Sequence, residues 1–352
     1  MTDAALATRP DDQTSPPDQA TAARLAAPVF AIDHMSVTVQ GKAGPVQLVS
    51  DVSLSVRQGE CVGVVGESGC GKTVSVMSAL GLMPKSASIS GQVRLGDLDL
   101  LSASEQQLQS LRGRRIGMIF QDPQSALNPV RTIGEQMAEP MMLHLGLSKV
   151  EAHKRSIELL SMVGLPAPET RLGAYPNQLS GGMCQRVMIA IALGPEPEVL
   201  IADEPTTALD ATVQLQVLDL LKSIQRRTGL AIVIITHDLG VVARICDRAH
   251  VLYAGRTVET RAVPDIFHAP WHRYTRALLD CLPRGGDHAP RPIVGEVPMA
   301  GRAPQGCAFH PRCGAADATC SSYNPAATGR GAAGHVACHH PLPESQGMRH
   351  LQ

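Results

Sequence analysis

Residues 66–73 have the types and spacing of a loop that could hold phosphate groups. They read GESGCGKT, which fits the pattern G-x-x-x-x-G-K-[ST]. Glycines let backbone N–H groups turn inward around phosphate oxygens, the Lys72 ammonium would meet the β- and γ-phosphates, and the Thr73 hydroxyl could bind Mg²⁺. The loop lies between an apolar run of strand length and an apolar stretch of helix length, which is the context such a loop needs. The residues predicted to contact a nucleotide here are Gly66, Ser68, Gly69, Cys70, Gly71, Lys72 and Thr73.

A pair of carboxylates ends a second buried strand, which is predicted over residues 199–202. Asp203 and Glu204 follow this run directly. In phosphate-loop proteins such an Asp orients Mg²⁺ or its water shell. The neighbouring Glu points another way and can polarise an attacking water. Two acids at a strand end are common, but downstream of a phosphate loop they predict nucleotide hydrolysis.

Four further motifs resemble those of the ATP-binding-cassette ATPases, over roughly residues 30–340. Residues 179–186 read LSGGMCQR, like the signature of that family, and Gln121 in FQDPQ resembles its loop glutamine. Asp210 in ALD (residues 208–210) resembles the D-loop aspartate, and His237 in ITHD the switch histidine. The resemblance implies an α/β phosphate-loop NTPase core with a parallel sheet, an antiparallel β subdomain, a helical signature subdomain and a cysteine-containing C-terminal extension.

The same resemblance implies roles for individual residues. In this family the signature of one subunit completes the ATP site of another. The signature begins a helix, and the N-terminus of a helix favours a bound anion such as phosphate. Glu204, His237 and Gln121 would be catalytic, with Gln121 also linking the site to a membrane partner. Thr73, Gln121 and Asp203 would hold Mg²⁺. The nucleotide contacts implied outside the phosphate loop are Asp203, Ser180, Gly181, Gly182, Gln185 and Asp210.

The alternation of apolar runs predicts an α/β domain with a largely parallel sheet. We expect strands over residues 30–39, 46–56, 61–65, 199–202 and 230–235, and helices over residues 74–83, 104–114, 134–163, 211–227 and 239–246. We divide the chain into a disordered tail (1–28), an ATP-binding cassette (29–263) whose helical part spans about 122–190, and a C-terminal extension (264–345).

Composition narrows the functional classes. The chain has 352 residues, 44% of them hydrophobic, and a formal net charge of -1, which gives no sign of nucleic-acid binding. No run reaches the roughly 18–20 apolar residues of a membrane-spanning helix, and the N-terminus does not have the pattern of a secretory signal. We therefore expect a peripheral protein on the cytoplasmic face of the inner (plasma) membrane, which reaches the membrane through partners.

Two segments resemble the oligopeptide/dipeptide (and nickel) importer branch of the family. They are QDPQSALNP (121–129) and GCAFHPRC (306–313). This resemblance implies two integral-membrane permease subunits, a second and paralogous ATPase subunit, and indirectly an extracytoplasmic solute-binding protein. Three alternatives stay open: an importer of nickel or another small solute, a soluble cassette ATPase not tied to transport, and a non-hydrolysing regulatory subunit.

Four of the nine cysteines cluster near the C-terminus at the spacing C-x5-C-x6-C-x17-C. An odd total in an unsecreted chain argues against a disulfide framework, whereas thiolates at this spacing can bind metal. Three interpretations stay open for these cysteines: a [4Fe–4S] cluster, which the resemblance also implies, a zinc site, or no metal. Nearby His310, His335 and His339 keep a mixed zinc site open. The candidate cluster ligands are Cys307, Cys313, Cys320 and Cys338.

The chain also departs from the family pattern. No aromatic residue lies between Ala31 and Phe120, where members often place a ring against adenine, so we expect Val39 or another segment to cover the base. Cys70 and Cys184 replace commoner Ser and Arg residues in their motifs. Neutral substitution is the simpler reading. The alternative is redox sensitivity, because a thiol near a helix N-terminus can have a lowered pKa.

Overall fold

The computed structural model describes residues 27–42, 44–207, 209–283, 290–329 and 334–343. Nearly all of the predicted disordered tail, Ala208, and residues 344 and 345 of the predicted extension lie outside these ranges. The strands are β1 (Pro28–Gly41), β2 (Gly44–Arg57), β3 (Cys61–Val65), β4 (Ser88–Leu95), β5 (Leu98–Asp99), β6 (Ile116–Ile119), β7 (Val199–Asp203), β8 (Ala231–Thr236), β9 (Arg248–Tyr253), β10 (Arg256–Ala262), β11 (Thr328–Gly329) and β12 (His335–Val336). The helices are α1 (Lys72–Ala79), α2 (Glu105–Leu111), α3 (Pro123–Ala126), α4 (Ile133–Leu145), α5 (Lys149–Met162), α6 (Pro168–Arg171), α7 (Gly181–Leu193), α8 (Ala211–Thr228), α9 (Leu239–Ile245), α10 (Val263–His268), α11 (Arg273–Asp280) and α12 (Ala318–Ser322).

The main sheet holds the candidate site. Its strand order is β11-β12-β10-β9-β3-β8-β7-β6, and the pairs from β9 to β6 are parallel. Strands β3, β7 and β8 are buried along their whole length, as the continuous apolar runs predicted. Because parallel strands end at one edge of a sheet, the segments after β3, β6, β7 and β8 meet there. The α/β prediction is confirmed.

A second, antiparallel sheet has the order β2-β1-β4-β5. Strands β1 and β2 pair from Pro28 opposite Arg57 to Gly41 opposite Gly44, which confirms the two alternating runs in the sequence. Strand β4, which pairs with β1, was not predicted from the sequence. Its residues are mostly exposed, so it has few of the apolar positions that mark a strand.

Helices α3 to α7 lie between β6 and β7 in the chain and pack on one another. Thr132 and Ser148 start α4 and α5 with capping boxes, each accepting a hydrogen bond from the backbone of a Glu three residues on. Met137, Met141 and Leu160 are buried in their interface. This arrangement places the signature at the start of α7, a helix that also packs on β6.

The C-terminal extension completes the main sheet. Strand β12 pairs with β10, with Val336 opposite Glu259, so the chain end adds an edge to the cassette. The rings of Tyr253, Tyr274 and Phe309 contact one another with centroids 4.6–5.4 Å apart. Since Tyr253 belongs to β9 and Phe309 to the extension, the extension shares the cassette's core.

Candidate active site

The phosphate loop connects β3 to the N-terminus of α1, as the sequence predicts. Gly69 and Gly71 have φ values of 78° and 101°, a region that glycine adopts without strain. A Cβ on Gly66 would lie 2.2 Å from the backbone oxygen of Leu252, so the loop can pass β9 only with glycine at that position. The backbone N–H groups of a strand–loop–helix turn of this kind form an anion site.

Lys72 is held inside this loop. Its side chain is buried, and Nζ donates hydrogen bonds to the backbone oxygens of Gly66 at 2.8 Å and Glu67 at 3.1 Å. The ammonium is therefore placed by the first two residues of the loop. A cation in this position provides the charge that a β- or γ-phosphate needs.

Oxygen ligands suited to Mg²⁺ lie directly beside the loop. The Thr73 hydroxyl donates to the Asp203 carboxylate, with Oγ1 2.9 Å from Oδ2 and 3.1 Å from Oδ1. Burial raises the pKa of Asp203, and the charge of Glu204 adds to this, against the hydrogen bond from Thr73. A hard divalent cation would stabilise the buried carboxylate, and Mg²⁺ prefers such oxygens. Two of the three predicted ligands, Thr73 and Asp203, are thus brought together, whereas Gln121 contacts Glu204.

Glu204 is the centre of a polar cluster. Its Oε1 lies 3.0 Å from His237 Nδ1, and its Oε2 accepts hydrogen bonds from Gln121 Nε2 at 3.0 Å and Thr207 Oγ1 at 2.9 Å. Burial raises the pKa of this carboxyl, but the hydrogen bonds from His237 and Thr207 outweigh it, so the pKa lies below its ordinary value. All three predicted catalytic residues meet here. Thr207 was missed, because a Thr in a turn carries no signal of its own.

The backbone at Glu204 has a left-handed conformation, with φ of 46°. A non-glycine residue pays for this conformation, and such positions cluster at functional sites. The Glu204 N–H donates to the backbone oxygen of Ile235 at 2.8 Å, which ties the turn after β7 to β8. The left-handed backbone at Glu204 and its contact with His237 thus both lie at the ends of the neighbouring strands β7 and β8.

The signature lies at the N-terminus of α7. Ser180 caps the helix by accepting from the Met183 N–H at 3.3 Å. A Cβ on Gly182 would come 2.8 Å from the Val213 side chain, whereas nothing lies within 4 Å of the corresponding position on Gly181. In the described part of the chain, no hydrogen bond or ion pair joins the signature to the phosphate loop.

Two predicted nucleotide contacts take other positions. Gln185 is only 1% exposed within α7, so this burial does not support a direct contact of its side chain with a nucleotide on another subunit. Asp210 caps α8 by accepting from the Val213 N–H at 3.0 Å, and it remains on the surface. Val213, whose N–H donates to Asp210, packs on Gly182 of the signature.

Comparison with known proteins agrees with this geometry. Residues 49–207 match the family model described as "ABC transporter", and residues 258–320 match "Oligopeptide/dipeptide transporter, C-terminal region". The dipeptide transport ATP-binding protein DppD of Bacillus subtilis is 45% identical over 88% of this chain and 94% of its own length. The chain belongs to the ATP-binding subunits of ABC transporters.

Other members of the family give the same result. The oligopeptide transport ATP-binding protein OppD of Salmonella typhimurium is 44% identical over 84% of this chain and 89% of its own length. An ATP-binding cassette solved as a dimer in a post-hydrolysis state, with ADP and phosphate, superposes with a TM-score of 0.60 at 29% identity, covering 66% of this chain and 98% of that one. As an ABC cassette, the chain is an ATPase that uses ATP and Mg²⁺. None of its described helices combines the length and apolar character of a membrane span.

The two unusual cysteines of this ABC cassette are not activated thiols. Burial raises the pKa of Cys70, and burial also raises the pKa of Cys184. Both side chains are buried, and Cys184 Sγ lies 3.5 Å from the backbone oxygen of Pro176. The redox alternative depends on a lowered thiol pKa, whereas burial raises the pKa of both thiols, so that prediction is wrong. A small apolar side chain in a packed position explains them.

The cysteine segment (residues 307–338) folds so that its thiols approach one another. Cys307 N–H donates to the backbone oxygen of Cys320 at 2.8 Å, and a Cβ on the preceding Gly306 would lie 2.3 Å from that oxygen. Burial raises the pKa of Cys307, and the neighbouring thiols of Cys320 and Cys313 raise it further. Burial and the thiols of Cys307 and Cys313 do the same to the pKa of Cys338.

A different group, which includes a histidine just after the cysteine segment, brings three ligand atoms close together. Those of Asp317, Cys320 and His340 all lie within 4.8 Å of one another. Predicted zinc neighbours make other contacts: His310 Nδ1 lies 2.9 Å from the Cys307 backbone oxygen, and His339 Nε2 lies 2.8 Å from that of Tyr323. The histidine placed for a mixed site is thus His340, which the sequence analysis had not chosen.

Proposed function

We propose that this chain energises the import of dipeptides or oligopeptides. The observation that carries the proposal is the C-terminal extension, which matches the oligopeptide/dipeptide transporter region and is built into the cassette through β12 and Phe309. The relatives named for dipeptide and oligopeptide transport cover nearly all of the cassette and extension. An importer of nickel or another small solute is the second candidate, because the solute does not touch this subunit.

The proposed mechanism uses the residues placed at the strand edge. Lys72 and the loop amides bind the phosphates of ATP, and Thr73, Asp203 and Gln121 hold Mg²⁺, which supplies positive charge to the phosphate oxygens. Glu204 polarises the attacking water and accepts its proton. His237 stabilises the transferring phosphoryl group from its position beside Glu204.

The ATP site is completed by a second, paralogous subunit in this proposal. Ser180, Gly181 and Gly182 present a helix N-terminus that suits an anion, yet they make no hydrogen bond to the phosphate loop of the described chain. The cassette solved with ADP and phosphate is a dimer. Closing two subunits would bring each signature onto the other's nucleotide, so that hydrolysis requires both.

The membrane partners would dock on the helices that follow Gln121. A groove of about 800 Å³ is lined by α4, α5 and α6, with exposed Met142 and Leu143 among charged side chains. Leu143 is 74% exposed and follows Met142, which is also exposed. Adjacent exposed apolar side chains of this kind are typical of a protein contact surface. We propose that one of two permease subunits inserts an apolar segment here from the cytoplasmic face, the other permease docks on the paralogous ATPase subunit, and a solute-binding protein acts on the far side of the membrane.

Uptake in whole cells tests this function. Cells lacking the gene should lose uptake of a labelled dipeptide, and the wild-type chain should restore it. Glu204→Gln should not restore uptake because ATP turnover is blocked, and Leu143→Asp should restore little although the purified variant still binds ATP. Met299→Asp, which changes an exposed apolar residue outside the groove, is the control and should restore uptake. Loss of nickel uptake alone would favour the second candidate; unchanged uptake of both solutes would favour a soluble cassette ATPase.

We also propose that the four cysteines hold a [4Fe–4S] cluster that fixes the extension's fold. The donor set fits: the thiols of Cys313 and Cys320 lie near that of Cys307, those of Cys307 and Cys313 lie near that of Cys338, and thiolates bind iron–sulfur clusters. Among the described residues no three of these sulfurs lie within 4.8 Å of one another. Thiolates around one zinc ion sit closer, at about 3.8 Å for tetrahedral ligands with Zn–S near 2.3 Å. The described thiols are therefore not arranged as a preformed four-thiolate zinc site.

Two substitutions separate a cluster from zinc. Cys338 belongs to the four cysteines only, and His340 to the mixed group with Asp317 only. Anaerobically purified protein should contain about four irons with matching sulfide. We expect Cys338→Ser to lose them and His340→Ala to keep them. One zinc that His340→Ala removes and Cys338→Ser retains would contradict the cluster, and protein without either metal would leave the cysteines as reduced thiols.

A further inference from the structure

We infer that Arg312, in the cysteine segment, is a positioning residue for ATP binding, because it holds the phosphate loop through Glu67. Glu67 is the second residue of that loop, and nothing in the motif requires a carboxylate there. Arg312 is the last residue of a short 3₁₀ turn, His310–Arg312, and directly precedes Cys313. The contact thus joins the C-terminal extension directly to the loop that binds phosphate.

The contact between the two side chains is a paired one. Arg312 Nη1 lies 2.8 Å from Glu67 Oε2, and Nη2 lies 3.0 Å from Oε1, so the guanidinium meets both carboxylate oxygens. The Arg312 side chain is only 4% exposed, and it also donates to the Tyr253 hydroxyl at 3.3 Å and the Val294 backbone oxygen at 3.0 Å. The hydrogen bonds to Glu67, chiefly, raise the pKa of Arg312. A fork of this kind fixes direction as well as distance.

Glu67 passes this restraint to Lys72. The backbone oxygen of Glu67 accepts from Lys72 Nζ, and its N–H donates to the Tyr274 hydroxyl at 2.9 Å. The carboxylate, the N–H and the carbonyl of Glu67 are therefore all held, the first by Arg312 and the second by α11. Since Lys72 meets the nucleotide phosphates, a shift of Glu67 would move the cation that binds them.

Charge gives Arg312 a second effect on the same site. A carboxylate on the phosphate loop repels the polyanionic phosphates of ATP, and this repulsion is strong where water is partly excluded. The guanidinium cancels that charge within hydrogen-bond distance. Removing Arg312 would therefore both release the loop and leave a partly buried anion near the phosphates.

An anchor for the extension alone is the competing explanation, and it predicts a different result. If Arg312 only fastens the extension, its loss should disturb the fold of the extension without a specific effect on ATP. The only tryptophan, Trp271, reports on that fold: it is buried, Arg261 lies over its ring at 3.7 Å, and its backbone oxygen accepts from the Leu342 N–H. Tryptophan emission and metal content thus measure the extension separately from ATP affinity.

The experiment compares Mg-ATP affinity and steady-state ATPase activity of full-length variants. We expect Arg312→Ala to raise Kd and KM for ATP about tenfold, with kcat at saturating ATP within about twofold of wild type and tryptophan emission unchanged. The Kd and KM of Arg312→Lys should lie between those of wild type and Arg312→Ala, because one ammonium cannot meet both carboxylate oxygens. The control, Arg302→Ala, removes an exposed arginine from the same extension and should change neither constant.

A double variant makes the test independent of folding defects. Glu67→Gln, alone and combined with Arg312→Ala, completes a double-mutant cycle: because Arg312 acts through Glu67, Arg312→Ala should change the Kd for ATP much less in the Glu67→Gln background than in wild type. Unchanged Kd and KM in folded Arg312→Ala or Arg312→Lys would overturn the inference. So would an effect of Arg312→Ala on Kd that is equally large in the Glu67→Gln background and in wild type, because Arg312 would then not act through Glu67.

Discussion

Glu204→Gln is expected to lower ATP turnover by about 10²–10⁴-fold, the range of a lost general base, while Mg-ATP affinity stays at the wild-type value. The amide keeps the size of the side chain and can still accept from Gln121 or Thr207, but it cannot take a proton from water. Phosphate release under saturating ATP measures turnover, and equilibrium binding of Mg-ATP measures affinity.

Glu198→Gln is the matched control for this substitution. Glu198 directly precedes β7 and pairs with Arg115, away from the nucleotide residues, so turnover should change little. Near-normal turnover in Glu204→Gln would exclude Glu204 as the base. His237, whose Nδ1 is 3.0 Å from the same carboxylate, would then be the next group to examine.

Lys72→Met is expected to weaken ATP binding by about 100-fold, because the substitution removes all the hydrogen bonds that the charged Lys72 ammonium donates to phosphate oxygens. Methionine keeps much of the length and packing of the buried stem, so the change removes mainly the ammonium that the carbonyls of Gly66 and Glu67 hold. Equilibrium binding of Mg-ATP to the full-length chain gives the loss directly.

Lys222→Met provides the corresponding control. Lys222 also donates to a backbone oxygen, that of Ile245, and lies close to Asp247, but it is on α8 away from the phosphate loop. The ATP affinity of the Lys222→Met variant should match that of wild type. If Lys72→Met bound ATP as tightly as this control, the loop amides alone would account for phosphate binding.

The local patterns of the chain were sufficient to predict the site's components. The run at residues 61–65 is apolar throughout because β3 is covered on both faces, so its place in the sheet could be read without coordinates. The glycines of the phosphate loop and the acids after β7 carry their chemistry in a few adjacent residues. Strands β4 and β10 were missed, since exposed or polar side chains hide their period.

Contacts between residues far apart in the chain were decided by the tertiary structure. Gln121 and His237 reach Glu204 because β6, β7 and β8 are parallel neighbours that end at one edge. The approach of Arg312 to Glu67 and the choice of His340 over His310 in the mixed group depend on how the extension folds back on β9 and β10. Burial of Gln185 likewise depends on what packs over α7. A motif specifies which groups are available, whereas their pairing depends on sheet order and packing, which bring together positions separated by 33 to 245 residues in the sequence.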